Sequence, residues 1–295
     1  MSMKTVGVLG AGVMGTGVAH TLAETGHRVI LIDTGEAQLQ GARRNIKQNL
    51  RMYRLLQTRS PGSTAPSAGA GSSDAETLAR VEGTTDFTAL RAADFIIENV
   101  PEKWEIKREV HTRIDQLGMP PVPVAVNTSA IPMSRFAALY AHPRRIVGMH
   151  FMNPVPVMPV VEVIRGKETG EDTLSAARML AAQMGRQSIV VNDSPGFVTN
   201  RVMMLTVNEA IFLLQEGVAS APDIDRLFET CFNHRLGPLA TADLIGLDTV
   251  LYSIEVLHRE FGDDKYRPCR LLQEMVEKGL LGRKSGRGFH EYDVI

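Results

Sequence analysis

Thr5-Val6-Gly7-Val8-Leu9-Gly10-Ala11-Gly12-Val13-Met14-Gly15 is the stretch that decides the fold. Its first five residues read as a short buried strand, and G-x-G-x-x-G follows at once. A helical pattern then runs through Val18, Ala19 and Leu22 until Gly26 stops it. Gly10 allows a tight turn, Gly12 lets a pyrophosphate approach the backbone, and Gly15 brings helix and strand together. The helix N-terminus, with Val13 and Met14, offers amide N–H groups and a partial positive charge to phosphate. Arg28 to Asp33 is a second strand ending on an acid near the ~20-residue offset of a dinucleotide site, so Asp33 is placed to accept hydrogen bonds from ribose hydroxyls. No Arg or Lys follows it in Thr34-Gly35-Glu36 to meet a 2′-phosphate, and the cofactor reading is NAD rather than NADP. The bland alternative, a glycine turn with no ligand, does not account for the strand, helix and acid around it.

Outward from this unit the helical spacing of Leu39, Ala42, Ile46, Leu50 and Tyr53 predicts a helix over Glu36 to Leu56. Residues 59–74, rich in Ser, Gly and Pro, cannot support a packed core and read as a mobile loop. Strand patterns resume at Asp94 to Asn99 and at Val122 to Val126. Doubly wound sheets place ligands at strand C-termini, so Glu98, Asn99, Asn127 and Ser129 are expected to face the crevice of the glycine loop. Each alone could be a turn or cap residue, Ser129 as a helix N-cap above all.

A second constellation lies at Gly148-Met149-His150-Phe151-Met152-Asn153-Pro154-Val155-Pro156 and Val160-Val161-Glu162-Val163-Ile164. A carboxylate inside an apolar run is costly unless paired. The Pro-bearing turn can fold Glu162 back on His150, where it would fix the tautomer and stabilise the imidazolium. A histidine so held suits proton transfer; a core histidine satisfied by an acid is the structural alternative.

The 295 residues suggest two domains, and 44% hydrophobic content suits a globular protein. After Asp193 strand-like runs give way to helical spacing at Val202, Leu205, Ala210, Leu213 and Leu214. The reading is α/β: a Rossmann-type doubly wound parallel sheet over 1–193, followed by an all-α C-terminal domain over 194–295. A net charge of −1 gives no general field for nucleic acid or an acidic membrane. Cys231 and Cys269 form no metal cluster, so no metal is expected, and they fit a reducing, cytoplasmic setting. No signal peptide is read at the N-terminus, and Val202 to Val218, interrupted by Asn208, Glu209, Gln215 and Glu216, reads as a buried helix of a soluble protein.

Taken together, the glycine loop, Asn127-Thr128-Ser129, Gly148 to Pro154, Glu162, Ser194-Pro195-Gly196-Phe197-Val198-Thr199-Asn200-Arg201, Gly237-Pro238-Leu239, Asp243 to Asp248 and Gly282 to Phe289 resemble the short-chain L-3-hydroxyacyl-CoA dehydrogenase family. The resemblance covers nearly the whole chain in order. It implies a nucleotide-binding domain followed by a helical domain that dimerises and helps to hold substrate, hence a homodimer. It also implies His150 as general base with Glu162 as its partner, and Ser129 and Asn200 as groups that bind the substrate's reacting oxygen and thioester region. On the cofactor side it carries over Glu98, Lys103, Ser129, Asn153 and Lys284 beside the glycine loop and Asn127.

The chain departs from the family pattern where lysines would meet the CoA phosphates. Asn49, Met52, Leu55 and Leu56 stand there, with Arg51, Arg54 and Arg59 nearby, while Ala130 and Pro159 replace a serine and a lysine. One branch that the chain resembles oxidises 3-hydroxyacyl groups, such as glyceryl, on an acyl carrier protein for polyketide extender units. The acyl thioester is therefore expected on CoA or on acyl carrier protein. A free-hydroxyacid dehydrogenase with Arg201 as a carboxylate clamp, and a non-catalytic NAD-binding protein, are the other readings.

Overall fold

The computed structural model describes residues 4–59 and 73–293. By internal contacts the chain divides into two compact units, Met1–Thr128 with Pro132–Asp193, and Ser129–Ile131 with Ser194–Ile295. The Ser/Gly/Pro-rich stretch over 59–74, expected to be a mobile loop, falls largely on residues 60–72, outside the described residues.

The first unit is one eight-stranded sheet with helices between its strands. The strands are β1 (Thr5–Leu9), β2 (Arg28–Ile32), β3 (Val81–Thr84), β4 (Phe95–Glu98), β5 (Val124–Val126), β6 (Ile146–Phe151), β7 (Val160–Arg165) and β8 (Gln187–Asn192). The helices are α1 (Val13–Glu24), α2 (Glu36–Arg59), α3 (Asp74–Ala79), α4 (Trp104–Gln116), α5 (Met133–Ala137) and α6 (Glu171–Gln183). The spatial order is β3-β2-β1-β4-β5-β6-β7-β8. The chain order therefore reverses at β1 and β4, which places a ligand crevice beyond their carboxyl ends.

Strands buried on both faces read as continuous apolar runs. β4, β5 and β6 are buried throughout, whereas burial falls away in the edge strands β3 and β8. The sheet is not parallel throughout. β6 and β7 run antiparallel because only the short turn Met152–Pro159 joins them, too little chain for a crossover helix, and β8 then follows β7 in parallel. Of the apolar stripe predicted for α2, Leu39, Ala42, Ile46 and Leu50 are buried, and the side chain of Tyr53 lies outside what is described. Burying each of the three larger side chains contributes about 1.5–3 kcal/mol.

The second unit packs α7 (Thr199–Gln215), α8 (Ala221–Cys231), α9 (Pro238–Ile245), α10 (Leu247–Phe261) and α11 (Arg270–Glu277) around a core of its own. The buried face of α7 is Met204, Val207, Asn208, Ala210 and Ile211. Val202, one of the residues whose spacing marked this helix, is exposed. No described helix is long and apolar enough to cross a membrane.

Candidate active site

At the end of β1 three glycines do three different jobs. Gly10 has φ +92°, and a Cβ there would lie 2.7 Å from the Asn99 carbonyl oxygen. A Cβ at Gly15 would lie 1.8 Å from the carbonyl oxygen of Gly10, so α1 can start against the loop only without a side chain. Gly12 is different: nothing in the protein stands within 4 Å of its Cβ position. The open space is where a ligand would approach the backbone. Gly12 also caps α1, with no side-chain cap and no acid in the first turn. The amide groups and dipole of that terminus, at Val13 and Met14, are thus left to meet an anion. Asp33, just past β2, accepts the Ala11 N–H through Oδ2 at 2.7 Å and the Thr34 N–H through Oδ1 at 2.7 Å. The second acid position is thereby tied to the glycine loop. This donor set and its open backbone fit a dinucleotide.

The strand ends further along the sheet carry hydrogen bonds within the protein. Glu98 is fully buried, its carboxylate bonded to side chains of α4. Lys107 Nζ donates to both of its oxygens, at 2.9 and 3.0 Å, and to the Asn127 carbonyl at 2.9 Å. His111 Nε2 meets Glu98 Oε2 at 3.1 Å, and its Nδ1 meets the Tyr140 hydroxyl at 2.6 Å. Burial alone would raise the Glu98 pKa, but the Lys107 charge and the His111 and Lys107 bonds outweigh it and hold it below the ordinary value. Burial would likewise lower Lys107, yet the charges of Glu98 and Glu102 hold it above its usual value. For His111 burial wins, and the imidazole is held below its ordinary pKa despite Glu98.

Asn127 is also engaged inside the protein. Its Oδ1 accepts the Phe151 N–H at 3.2 Å, and its Nδ2 donates to Asn99 Oδ1 at 2.8 Å. Glu102 accepts a short hydrogen bond from the Thr128 hydroxyl and lies 3.4 Å from Lys107. Lys103 is exposed at the N-cap of α4, and Asn153 is exposed in the turn after β6. Lys107 and His111 were missed from sequence. The signal that could have found them is their i, i+4 spacing in line with Ile114, two polar residues on the buried stripe of an amphipathic helix.

His150 and Glu162 are direct partners in the β6–β7 ladder, so their side chains leave the same face of the sheet. His150 Nδ1 lies 3.0 Å from Glu162 Oε2, and both residues are buried. Accepting the Nδ1 proton, the carboxylate fixes the tautomer whose Nε2 carries the lone pair.

In the second unit Asn200 Nδ2 donates to the Ser129 carbonyl at 3.1 Å, and the Gly196 N–H to that of Ala130. Ser129–Ile131 therefore belongs with this unit although its sequence neighbours lie in the first. Lys284 is held by Asp248, Nζ to Oδ2 at 2.6 Å. Burial would raise the Asp248 carboxyl, but the Lys284 bond, the Thr249 amide and the Lys284 charge hold it below its usual range.

Residues 5–194 match the family described as 3-hydroxyacyl-CoA dehydrogenase, NAD binding domain, and residues 196–292 match its C-terminal domain. The chain belongs to the 3-hydroxyacyl-CoA dehydrogenase family. It is an oxidoreductase that uses NAD. It is 42% identical to a probable 3-hydroxybutyryl-CoA dehydrogenase of Bacillus subtilis, covering 99% of both chains. It is 39% identical to a 3-hydroxybutyryl-CoA dehydrogenase of Bradyrhizobium diazoefficiens, covering 98% of this chain and 96% of the relative. The crystal structure of (S)-3-hydroxybutyryl-CoA dehydrogenase from Ralstonia eutropha superposes with a TM-score of 0.90 at 41% identity, covering 99% of this chain and 100% of that one.

Proposed function

We propose that the protein oxidises a 3-hydroxyacyl thioester to the 3-oxoacyl thioester, and catalyses the reverse, with His150 as general base and Glu162 as its partner. The observation that carries this reading is the buried Nδ1–Oε2 contact of 3.0 Å between them. His150 Nε2 takes the proton of the substrate hydroxyl, and Glu162 stabilises the charge the ring gains. NAD, held by the glycine loop and Asp33, would supply the acceptor for the hydride that leaves the carbinol carbon. Ser129 and Asn200 are assigned to the substrate's reacting oxygen and thioester region, with Asn200 oriented by the Ser129 carbonyl. The glycine loop and Asp33 hold the cofactor; Lys103, Asn153 and Lys284 remain assigned to it on resemblance alone.

His150→Asn keeps a polar neighbour for Glu162 but removes the base. NADH formation, followed at 340 nm (the usual nicotinamide absorbance), should fall about 100- to 10,000-fold with NAD binding retained. Turnover within twofold of the parent would end this reading.

The carrier of the acyl group is CoA or acyl carrier protein, as in relatives whose names specify CoA and in the polyketide extender-unit branch. Arg44, Lys47, Gln48, Arg51 and Met52 of α2 line one shallow concavity. The helix thus keeps cations in place of the lysines that the family pattern would supply, and these favour a phosphate-rich CoA handle. Turnover of 3-hydroxybutyryl-CoA against the same acyl group on carrier protein decides between them. Val198, Val202, Leu227, Phe232 and Leu244 are exposed in the second unit and support a homodimer, to be tested by sedimentation.

A further inference from the structure

The ladder between β5 and β6 stops short of the catalytic histidine. Its last pair is Val126 with Gly148, so Met149, His150 and Phe151 have no β5 residue opposite them. On the other edge β7 holds these residues, through Met149 with Val163, His150 with Glu162 and Phe151 with Val161. What reaches Phe151 from the β5 side is a side chain. The Phe151 N–H donates to Asn127 Oδ1 at 3.2 Å, Asn127 Nδ2 donates to Asn99 Oδ1 at 2.8 Å, and Asn99 Nδ2 donates to the Ile97 carbonyl at 3.2 Å.

The direction of this relay is dictated by its ends. A backbone N–H can only donate and a backbone carbonyl can only accept, so each amide between them has one satisfactory orientation. Asn is suited to this because one short planar group both accepts and donates. The main chain of Asn127 is fixed separately, its N–H on the Glu98 carbonyl at 2.9 Å and its carbonyl on Lys107 Nζ at 2.9 Å. Both asparagines are buried. The two amides lace the ends of β4, β5 and β6 together.

We propose that Asn127, buttressed by Asn99, is a positioning residue for His150, locking the backbone on the β5 side of the strand that presents the imidazole. The proposal rests on His150 being the base. Loss of the relay removes the side-chain tie on the β5 side of the strand end, and the imidazole turns with it. A misplacement of an ångström costs on the order of 100-fold in rate.

The test compares Asn127→Ala, Asn99→Ala, the double variant and His150→Asn in the intact protein. Measured for each are kcat per folded site, KM for NAD and for 3-hydroxybutyryl-CoA, the thermal midpoint, and the primary deuterium isotope effect at the carbinol carbon. Asn127→Ala should lower kcat about 10- to 100-fold, leave the KM for 3-hydroxybutyryl-CoA within about twofold, and raise the isotope effect as the chemical step becomes limiting. Asn99→Ala should lower kcat about 3- to 10-fold, and the double variant should match Asn127→Ala, because links in series do not add. A merely structural role would lower the thermal midpoint without changing kcat per folded site or the isotope effect, and that result overturns the proposal. Should Asn127→Ala fail to fold, Asn99→Ala decides: a lower kcat at an unchanged midpoint supports the proposal, and an unchanged kcat overturns it. An active His150→Asn would instead remove the general-base reading, whereas an inactive one beside fully active asparagine variants would remove only the positioning role.

Discussion

Lys107 and Glu98 form an ion pair with no exposed side-chain surface on either partner, Nζ lying 2.9 Å from one carboxylate oxygen and 3.0 Å from the other. The Asn127 carbonyl, the Val100 N–H, His111 Nε2 and the Glu102 carboxylate surround it. Removing one partner strands a charge in the protein interior, whereas removing both does not. Lys107→Met should therefore cost about 3–5 kcal/mol of unfolding free energy. Adding Glu98→Gln to it should restore a large part. The denaturant midpoint checks this, and a double variant no more stable than Lys107→Met would refute it.

Two buried histidines give a pH dependence of known sign. Burial, aided by the Arg186 charge, lowers His20 from 6.5 to about 4. Burial lowers His111 as well. Below pH 6.5 the unfolded chain binds protons at these positions that the folded chain resists. Their contribution is complete above 6.5 and is lost as the pH falls, through about 4 for His20. For His20 the full effect is about 3 kcal/mol. Unfolding free energies measured at pH 7, 6 and 5 should fall steadily. A His20→Leu variant whose stability declines over that range as steeply as the parent's would sink the assignment.

The parts of the fold that sequence made legible are those where one pattern has one physical reading. The glycine loop between strand and helix, with Asp33 beyond it, admits little else. The Glu inside Val160–Ile164 pointed to His150, because a buried carboxylate needs a partner and the turn is short. Lys107 and His111 were not legible for a related reason: only the three-dimensional path of α4 brings them to the buried Glu98 carboxylate. The edge strands β3 and β8 carry little buried apolar surface and so left a weak periodic signal. Spacing marked α7 as a helix through Val202 and Leu205, but spacing alone does not say which residues are covered, and Val202 is exposed.

Asp33 should set the cofactor preference. With one oxygen on the Ala11 amide and the other on the Thr34 amide, its charge stays fixed at the end of β2. A 2′-phosphate brought near it meets like charge, with no Arg or Lys in Thr34-Gly35-Glu36 to offset it. The kcat/KM for NAD should exceed that for NADP by about 100-fold or more, since unpaired charge against the wrong ligand discriminates by several kcal/mol. Asp33→Ala should narrow the ratio to about tenfold or less while raising the KM for NAD. Equal use of both cofactors by the parent protein would contradict the role.

Gly12 and Gly15 stand three residues apart and should fail in opposite ways when given a methyl group. At Gly15 the new Cβ would overlap the Gly10 carbonyl oxygen, a backbone atom that cannot rotate aside. Gly15→Ala should therefore destabilise the fold, by about 3 kcal/mol or more, as a steric conflict in packed backbone. At Gly12 no protein atom lies within 4 Å of the added Cβ. Gly12→Ala should keep the parent's thermal midpoint yet bind NAD about tenfold or more weakly, because the methyl occupies the approach that a pyrophosphate needs. Calorimetry of unfolding and titration with NAD separate the two. A Gly12→Ala protein that binds NAD as tightly as the parent would show that the open space beside this glycine is not where the dinucleotide meets the chain.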